Sequence, residues 1–226
     1  MALFEAHKLA CQRGERLLFH GLDFSLAAGQ AIVLEGANGS GKSSLLRLAA
    51  GLARPASGGF HWDGRSIEQE PDLHHRRLLY LGHADAVKGS LTVLENLQFW
   101  ADLQGAPKQR VIDAIDYVEL SPLMDLPARF LSAGQHRRLM LARLMLQSAA
   151  AMPLWLLDEP TTALDSRAQA RLVGLLQAHL KAGGLAILAS HDRLDDLTAQ
   201  RLRVDAYQPQ SSGGRDDQAT DYGEVA

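Results

Sequence analysis

Gly36-Ala37-Asn38-Gly39-Ser40-Gly41-Lys42-Ser43 follows the apolar run Ala31-Ile32-Val33-Leu34-Glu35 and precedes a segment with helical spacing. The run is typical of a buried strand, and the leucines after Lys42 predict a helix that stops at Gly51. Glycines in a strand-to-helix turn let backbone N–H groups surround phosphate oxygens, and the helix N-terminus adds positive charge. A glycine-rich turn with a surface lysine is the alternative interpretation. The flanking strand and helix favour a phosphate-binding loop, and therefore an α/β fold.

The loop supplies most of the predicted nucleotide contacts. Lys42 should reach the β- and γ-phosphates, which also makes it a candidate catalytic residue, and Ser43 should ligate Mg²⁺. ATP and Mg²⁺ are therefore the predicted cofactors. The candidate binding residues in this stretch are Gly36, Ala37, Asn38, Gly39, Ser40, Gly41, Lys42, Ser43 and Ser44.

Two carboxylates end a second apolar run, Leu154 to Leu157, which is typical of a central strand of a parallel sheet. Asp158 would hold Mg²⁺ through a bound water. Glu159 would orient and polarise the water that attacks the γ-phosphate. A solvated acidic strand end is a common alternative, but downstream of a phosphate-binding loop the pair favours catalysis.

A helix start lies between these two motifs, in Leu131-Ser132-Ala133-Gly134-Gln135. Ser132 and Gln135 have the spacing of a capping box, which is a sufficient structural explanation by itself. A binding role is compatible with this capping role, because a capped helix start directs its remaining N–H groups at an anion. That anion would be the γ-phosphate bound by a second copy of the chain.

A further candidate catalytic residue, His191, follows the apolar run Ala186 to Ala189 in Ser190-His191-Asp192. A lone histidine is more often a surface residue or a hydrogen-bonded core residue. Its place at a strand end favours a hydrogen-bond donor to the γ-phosphate instead.

The remaining pattern predicts one domain over residues 1–207 with a helical insertion at about 84–149. Trp62-Asp63-Gly64 indicates a hairpin turn, and Thr92 with Glu95 forms a capping box. The predicted elements are a strand at Leu78–Gly82 and helices from Thr92 to about Gln104, after Pro107, from Ala133 to about Gln147, and from Ser166 to Lys181. Residues 208–226 are polar and glycine-rich, which predicts a disordered tail.

Composition excludes several classes of protein. The chain has 226 residues, a net charge of -3 and one cysteine, so no basic field indicates nucleic acid and no internal disulfide can form. The most apolar region, Leu139 to Leu157, contains Arg143 and Pro153 and predicts a helix, a break and a strand, and no membrane span. A membrane role would therefore need a partner.

Taken together in this order, the motifs resemble the nucleotide-binding subunit of ABC transporters over residues 2–205. The resemblance implies a P-loop NTPase (RecA-like) core with a parallel central sheet, an N-terminal antiparallel β subdomain and an inserted α-helical subdomain. It implies a homodimer in which Ser132, Gly134 and Gln135 of one copy cap the ATP held by the other. It also assigns Ala163-Leu164-Asp165 to the segment called the D-loop, with Asp165 near the nucleotide.

Two positions depart from the pattern of that family. Its members usually carry glutamine at the end of the strand before the helical insertion, whereas this chain has His83. They also usually carry an aromatic residue near position 13 to stack on adenine, whereas this chain has Arg13, whose guanidinium can also stack on a purine. His83 is a candidate for placing Mg²⁺ or water, and Arg13 for binding the base.

The Gly82-His83 pair and the Ser132–Gln135 motif are most similar to the ATP-binding subunit of the cytochrome c maturation (haem exporter) ABC complex. That resemblance implies a peripheral subunit on the cytoplasmic face of a bacterial inner membrane. Its partners would be integral membrane permease subunits and, indirectly, haem and a periplasmic haem chaperone. The chain itself has no Cys-x-x-Cys-His motif. His74-His75, beside Arg76-Arg77, is interpreted as a polar helix face and not as a haem site.

Three alternatives share part of these features. An ABC transporter ATPase for a metal, lipid or drug would have the same chemistry. A soluble ABC protein acting on ribosomes or DNA usually has two cassettes or a long coiled-coil insertion, and neither is present in this sequence. A small-molecule kinase with a phosphate-binding loop would lack the Ser132–Gln135 helix start.

Overall fold

The computed structural model describes residues 3–84, 86–190, 194 and 196–209. Its strands are β1 (Leu3–Arg13), β2 (Arg16–Ala27), β3 (Ala31–Glu35), β4 (Ser57–Trp62), β5 (Arg65–Ser66), β6 (Leu78–Leu81), β7 (Leu154–Asp158), β8 (Leu185–Ala189) and β9 (Gln200–Arg203). Its α-helices are α1 (Lys42–Ala49), α2 (Pro71–Arg76), α3 (Val93–Gln104), α4 (Lys108–Tyr117), α5 (Ala133–Ala142) and α6 (Ser166–Lys181).

The strands form two sheets. An antiparallel sheet has the order β2-β1-β4-β5, and a parallel sheet has the order β6-β7-β8-β3-β9. The predicted α/β fold with a parallel core and an antiparallel sheet near the N-terminus is confirmed. In the parallel sheet, Ala189 of β8 pairs with Leu34 of β3 on one side and Asp158 of β7 on the other. The carboxyl ends of these three strands therefore meet at one edge.

Every residue of β7 and β8 is buried, as their continuous apolar sequence predicts. One apolar cluster joins the antiparallel sheet, α1 and one face of the parallel sheet, and a second joins the other face to α5 and α6. The site-bearing edge is thus fixed from both faces of the sheet. The predicted hairpin turn is confirmed, because Trp62 pairs with Arg65 across Asp63-Gly64.

Four helices or helical turns between β6 and β7 share a third apolar cluster. The predicted capping box is present at α3, where Thr92 Oγ1 accepts from Glu95 N–H at 3.1 Å and Glu95 Oε2 accepts from Thr92 N–H at 2.8 Å. The predicted helix from Ala133 to about Gln147 is wrong in length. The α-helix ends at Ala142 and continues as a 3₁₀ turn over Arg143–Met145.

A buried arginine of that 3₁₀ turn, Arg143, packs against α3. The Arg143 guanidinium lies 3.6 Å from the centroid of the Trp100 ring, and burial lowers the pKa of Arg143 to about 10. It therefore stays charged at neutral pH and is stabilised by the aromatic face. The contact between Arg143 and Trp100 thus joins the end of α5 to α3.

The interpretation of His74 as part of a polar helix face is wrong. His74 is 2% exposed, whereas His75 is exposed as expected. Trp62 Nε1–H donates to His74 Nδ1 at 3.0 Å, so His74 Nε2–H is left to donate to the Ala49 carbonyl at 2.9 Å. The neutral imidazole thus joins β4, α2 and α1. Helical spacing alone could not show that the short helix α2 turns this residue inward.

Burial lowers the pKa of His74 from its ordinary 6.5 to about 4. A proton on Nδ1 would also face the donating N–H of Trp62. Because the folded-state pKa lies below the unfolded-state pKa, the stability from neutral His74 is complete above pH 6.5 and is lost as pH falls toward 4. We expect this to cost about 3 kcal/mol across the window.

His74→Gln keeps one acceptor and one donor but does not titrate, so it is the matched variant. Urea unfolding at pH 7 and pH 4.5, followed by tryptophan fluorescence, should show wild type losing more free energy of unfolding than the variant as pH falls. An equal loss in both proteins would contradict the role given to His74.

Among the helices of the described residues, none is both long and apolar enough to cross a membrane.

Candidate functional site

The phosphate-binding loop connects β3 to α1 and is held in shape by close backbone contacts. Gly41 has a φ of 107°, and a Cβ there would lie 2.9 Å from Cδ1 of Phe19. Gly36 has a φ of 137°, and a Cβ there would lie 2.8 Å from Ser40 Oγ. Both positions therefore need glycine, for backbone conformation and for space.

Lys42 lies folded over the loop that precedes it. Its Nζ donates to the Gly36 carbonyl at 2.7 Å and to the Ala37 carbonyl at 3.3 Å, and the residue is 7% exposed. The ammonium group thus occupies the centre of the loop. A triphosphate entering the loop would exchange these neutral acceptors for charged ones, which form stronger hydrogen bonds.

The two predicted metal-holding groups meet across the sheet edge. Ser43 Oγ donates to Asp158 Oδ1 at 2.9 Å, although the residues lie 115 positions apart. Asp158 is 2% exposed. No group of three or more histidine, cysteine or acidic residues within the described segments could hold a metal ion alone. Ser43 and Asp158 instead fit Mg²⁺, which usually takes few protein ligands and completes its shell with phosphate oxygens and water.

Glu159 is held at the cleft by its own backbone. Its φ is 49°, which is uncommon for a residue with a side chain. Its N–H donates to the Ala189 carbonyl at 2.8 Å, and its carbonyl accepts from Arg137 Nη2. Such strained conformations occur where the surrounding structure fixes them, often at functional sites. With its backbone restrained in this way, Glu159 is one of the residues that line the cleft.

Sequence reasoning missed Arg137. This residue of α5 is 6% exposed, and its guanidinium also donates to the carbonyls of Asp158, at 2.8 Å, and Pro160, at 3.3 Å. The helix that starts at Ser132 is therefore tied directly to the backbone of the catalytic strand end. The only sequence signal for Arg137 is that a charged residue lies on the side of α5 that its apolar residues predict to be buried.

The predicted capping box at Ser132 is present in the structure. Ser132 Oγ accepts from Gln135 N–H at 3.3 Å, and Gln135 Oε1 accepts from Ser132 N–H at 2.8 Å. The N–H groups of Ala133 and Gly134 donate no hydrogen bond to the described part of the chain. A Cβ on Gly134 would lie 2.9 Å from the Ala163 carbonyl, so the helix start packs against the loop after β7.

The two other predicted site residues have different outcomes. Asp165 caps α6, because its Oδ1 accepts from Ala168 N–H at 2.8 Å, and its predicted approach to a nucleotide remains a prediction. His191 lies outside the described residues. The residue before it, Ser190, lies within hydrogen-bonding distance of Thr161, with 3.2 Å between the two hydroxyl oxygens. The end of β8 is thereby joined to the loop that follows Glu159.

An open cleft of about 590 Å³ brings half of the predicted site residues together. Its floor is the phosphate-binding loop, one wall is the end of β7, and its outer end is the β1–β2 hairpin. It is lined by Arg13, Arg16, Leu18, Asn38, Gly39, Gly41, Lys42, Ser43, Ser44, His83, Glu159 and Thr162. His83 and Arg13, the two departures from the family pattern, are both exposed at this cleft. Their roles stay predictions.

The fold and the cleft define an ATP-binding cassette ATPase. A family model described as ABC transporter matches residues 19–162, and the chain belongs to this family.

Curated relatives extend the similarity over nearly the whole chain. The chain is 49% identical over 208 residues to the cytochrome c biogenesis ATP-binding export protein CcmA of Paramagnetospirillum magneticum, covering 90% of this chain and 94% of the relative. It is 43% identical over 212 residues to the CcmA protein of Haemophilus influenzae, covering 91% and 99%. The resemblance to the cytochrome c maturation subunit is confirmed.

Solved structures share the fold. A putative ABC transporter ATP-binding protein from Pyrococcus furiosus superposes with a TM-score of 0.76 at 20% identity, covering 92% of this chain and 100% of that one. A dimeric ATP-binding cassette in a post-hydrolysis state, bound to ADP and phosphate, superposes with a TM-score of 0.74 at 21% identity, covering 89% and 95%.

Proposed function

We propose that the chain is the ATP-hydrolysing subunit of a membrane ABC complex that serves haem export, or haem release from a periplasmic chaperone, in cytochrome c biogenesis. The observation that carries the ATPase part is the 2.9 Å hydrogen bond between Ser43 and Asp158, which joins the phosphate loop to the acidic strand end. The assignment to cytochrome c biogenesis rests on the names of the curated relatives. The subunit would lie on the cytoplasmic face of the inner membrane, bound to integral membrane permease subunits.

Within one site, Lys42 binds the β- and γ-phosphates. Ser43 and Asp158 would hold Mg²⁺, which would neutralise phosphate charge. The Glu159 carboxylate accepts a hydrogen bond from the attacking water and takes its proton as the water oxygen bonds to the γ-phosphorus. The bond from the γ-phosphorus to the oxygen it shares with the β-phosphate breaks, and that oxygen leaves with ADP. His191 is assigned to the γ-phosphate and His83 to water or metal placement. The products are ADP and phosphate.

A second copy completes each site. The helix start at Ser132 has two N–H groups, those of Ala133 and Gly134, that donate to nothing in the described segments of the chain, and they lie beside the Ser132 hydroxyl. Free N–H donors at a helix N-terminus bind phosphate well, because the helix dipole adds partial positive charge there. We place this helix start on the γ-phosphate of a partner copy; a solved cassette of the same fold is dimeric. Hydrolysis removes this bridge and the pair opens.

The membrane partner would bind the helical insertion. Phe99 and Leu103 lie one turn apart on α3 and are 57% and 68% exposed. Large apolar side chains exposed together often mark a protein interface. The insertion also begins just after His83, so movement at the cleft can reach this face.

Replacing Phe99 and Leu103 with aspartate should therefore uncouple the subunit from its membrane partners without unfolding it. The variant should bind ATP like wild type yet fail to co-purify with membrane subunits. Leu52→Asp, at a residue 54% exposed outside the insertion, is the control and should co-purify normally. Normal co-purification of the double variant would contradict this docking face.

The cargo is tested by purifying the tagged chain from membranes of its own organism. The proposal expects permease subunits together with haem, detected by its absorption spectrum, and loss of c-type cytochromes in cells that carry only Lys42→Ala. Membrane subunits with no haem and normal c-type cytochromes in those cells would indicate another cargo.

A further inference from the structure

The helix α4 ends in a Schellman motif with an unusual residue at its turning point. The Leu120 N–H donates to the Ile115 carbonyl at 3.0 Å, and the Glu119 N–H donates to the Asp116 carbonyl at 2.9 Å. Glu119 has a φ of 57°. Glycine is the usual residue at this position, because a side chain makes a positive φ unfavourable. A glutamate held in this conformation indicates that its side chain has a task.

The Glu119 carboxylate lies between two arginines of α6. Its Oε1 is 2.5 Å from Arg167 Nη2 and 2.6 Å from Arg171 Nη2. The two arginines are one turn apart on the same face of α6, where like charges repel each other unless an anion compensates them. Arg171 also donates to the Tyr117 carbonyl, and the Tyr117 hydroxyl donates to the Arg171 carbonyl at 3.1 Å. The end of α4 is therefore joined to α6.

The same turn is joined to α5. Arg138 Nη1 donates to the carbonyls of Val118, at 3.0 Å, and Glu119, at 3.3 Å, and lies 4.0 Å from Glu119 Oε2. The side chains of Glu119, Arg138 and Arg171 are partly buried. Their interactions are therefore screened less than those of fully exposed ion pairs. Glu119 thus connects three helices through one carboxylate.

Two of these helices begin at the surface assigned to the second copy. Arg138 lies on α5 less than two turns after the helix start at Ser132. The helix α6 begins after Asp165, in the loop whose Ala163 carbonyl would lie 2.9 Å from a Cβ on Gly134. The starts of α5 and α6 are therefore in contact at the nucleotide side, and Glu119 joins the two helices a second time further along. Two separate contacts fix the direction of a helix, whereas one contact leaves it free to pivot.

We propose that Glu119 is a positioning residue for the shared nucleotide site: it holds α5 in the direction that presents its N-terminal N–H groups to the γ-phosphate of the partner copy. The proposal rests on the shared site proposed above. Glu119 is not among the residues that line the nucleotide cleft of its own chain. Its loss should therefore weaken the pairing of two copies, because the donors are no longer pre-organised, and should leave nucleotide binding by one copy unchanged.

The test adds Glu119→Gln to the Glu159→Gln variant, in which ATP should persist. Sedimentation at a series of protein concentrations with ATP gives the dissociation constant of the dimer, which should rise about tenfold, since both copies lose the carboxylate. The affinity of the dilute, monomeric chain for ATP should not change. Glu70→Gln is the matched control, because it removes an exposed ion pair, with 3.8 Å between Glu70 and Arg65, outside the cleft. It should dimerise like the Glu159→Gln parent.

Glu119→Gly separates positioning from folding. Glycine suits the positive φ, and this gain offsets the lost ion pairs, so the variant should unfold at about the same urea concentration as wild type. Its dimer should nevertheless be as weak as that of Glu119→Gln. A dimer as tight as the parent's in either variant, or an equal loss of ATP affinity by the monomer, would overturn the proposal. Failure of the Glu159→Gln parent itself to dimerise with ATP would overturn the shared site, and this proposal with it.

Discussion

Glu159→Gln should lower ATP turnover about 100- to 10,000-fold, the range expected for loss of a general base. The substitution keeps the size of the side chain and removes the group that takes the proton of the attacking water. The backbone of Glu159 stays anchored, because its N–H and carbonyl contacts to Ala189 and Arg137 do not involve the carboxylate. The fold and the phosphate cradle should therefore be unaffected.

Single-turnover hydrolysis and gel filtration with ATP measure both consequences. The variant should bind ATP with wild-type affinity and, because the γ-phosphate bridge between copies persists, accumulate as a stable dimer. Glu68→Gln, an exposed glutamate away from the cleft, should behave like wild type. Rapid hydrolysis by Glu159→Gln would refute the role given to this carboxylate.

Lys42→Ala should weaken ATP binding at least about 100-fold. In the free chain the ammonium group is bound to the carbonyls of Gly36 and Ala37 at the centre of the loop. When triphosphate is bound, the Lys42 ammonium group would donate to its oxygens instead. Each such charge-assisted hydrogen bond contributes about 1.5–3 kcal/mol. Two such bonds are lost together with the positive charge that attracts the phosphates.

Isothermal titration calorimetry with ATP checks this expectation. Lys181→Ala, at the exposed end of α6, removes a lysine without touching the cleft and should leave the affinity unchanged. An unchanged dissociation constant for Lys42→Ala would show that the loop binds phosphate without its lysine.

Local chemistry made several elements predictable. The strand Ala31–Glu35 and the helix Ser166–Lys181 have the predicted bounds because an apolar run and a capped amphipathic pattern each determine them locally. The Thr92 and Ser132 capping boxes form as their three-residue spacing predicts. The sequence motifs assigned Ser43 and Asp158 to one Mg²⁺ ion, and the structure joins the two side chains by a 2.9 Å hydrogen bond.

Features that depend on contacts between distant segments were not predictable. Nothing within Pro71–Arg76 shows that His74 meets Trp62 and Ala49, because that contact needs three elements packed together. The same holds for Arg137, whose acceptors are backbone carbonyls that no sequence pattern marks. The transition to a 3₁₀ turn at Arg143 accompanies packing on Trp100, which is also a tertiary contact.

The shared site between two copies is tested most directly by placing two defects on the same copy or on different copies. Ser132→Asp keeps a capping oxygen, as Asp165 does for α6, and sets a negative charge against the partner's γ-phosphate. Lys42→Ala disables the cradle. Mixed dimers are isolated with two affinity tags, and the ATP that each dimer retains is counted.

With the defects on different copies, one site combines both and the other is intact, so the dimer should retain one ATP. With both defects on one copy, each site carries one defect, and the dimer should retain none. The reverse pattern, with ATP retained only when both defects share a copy, would show that Lys42 and Ser132 act on the nucleotide of their own chain and would contradict the account.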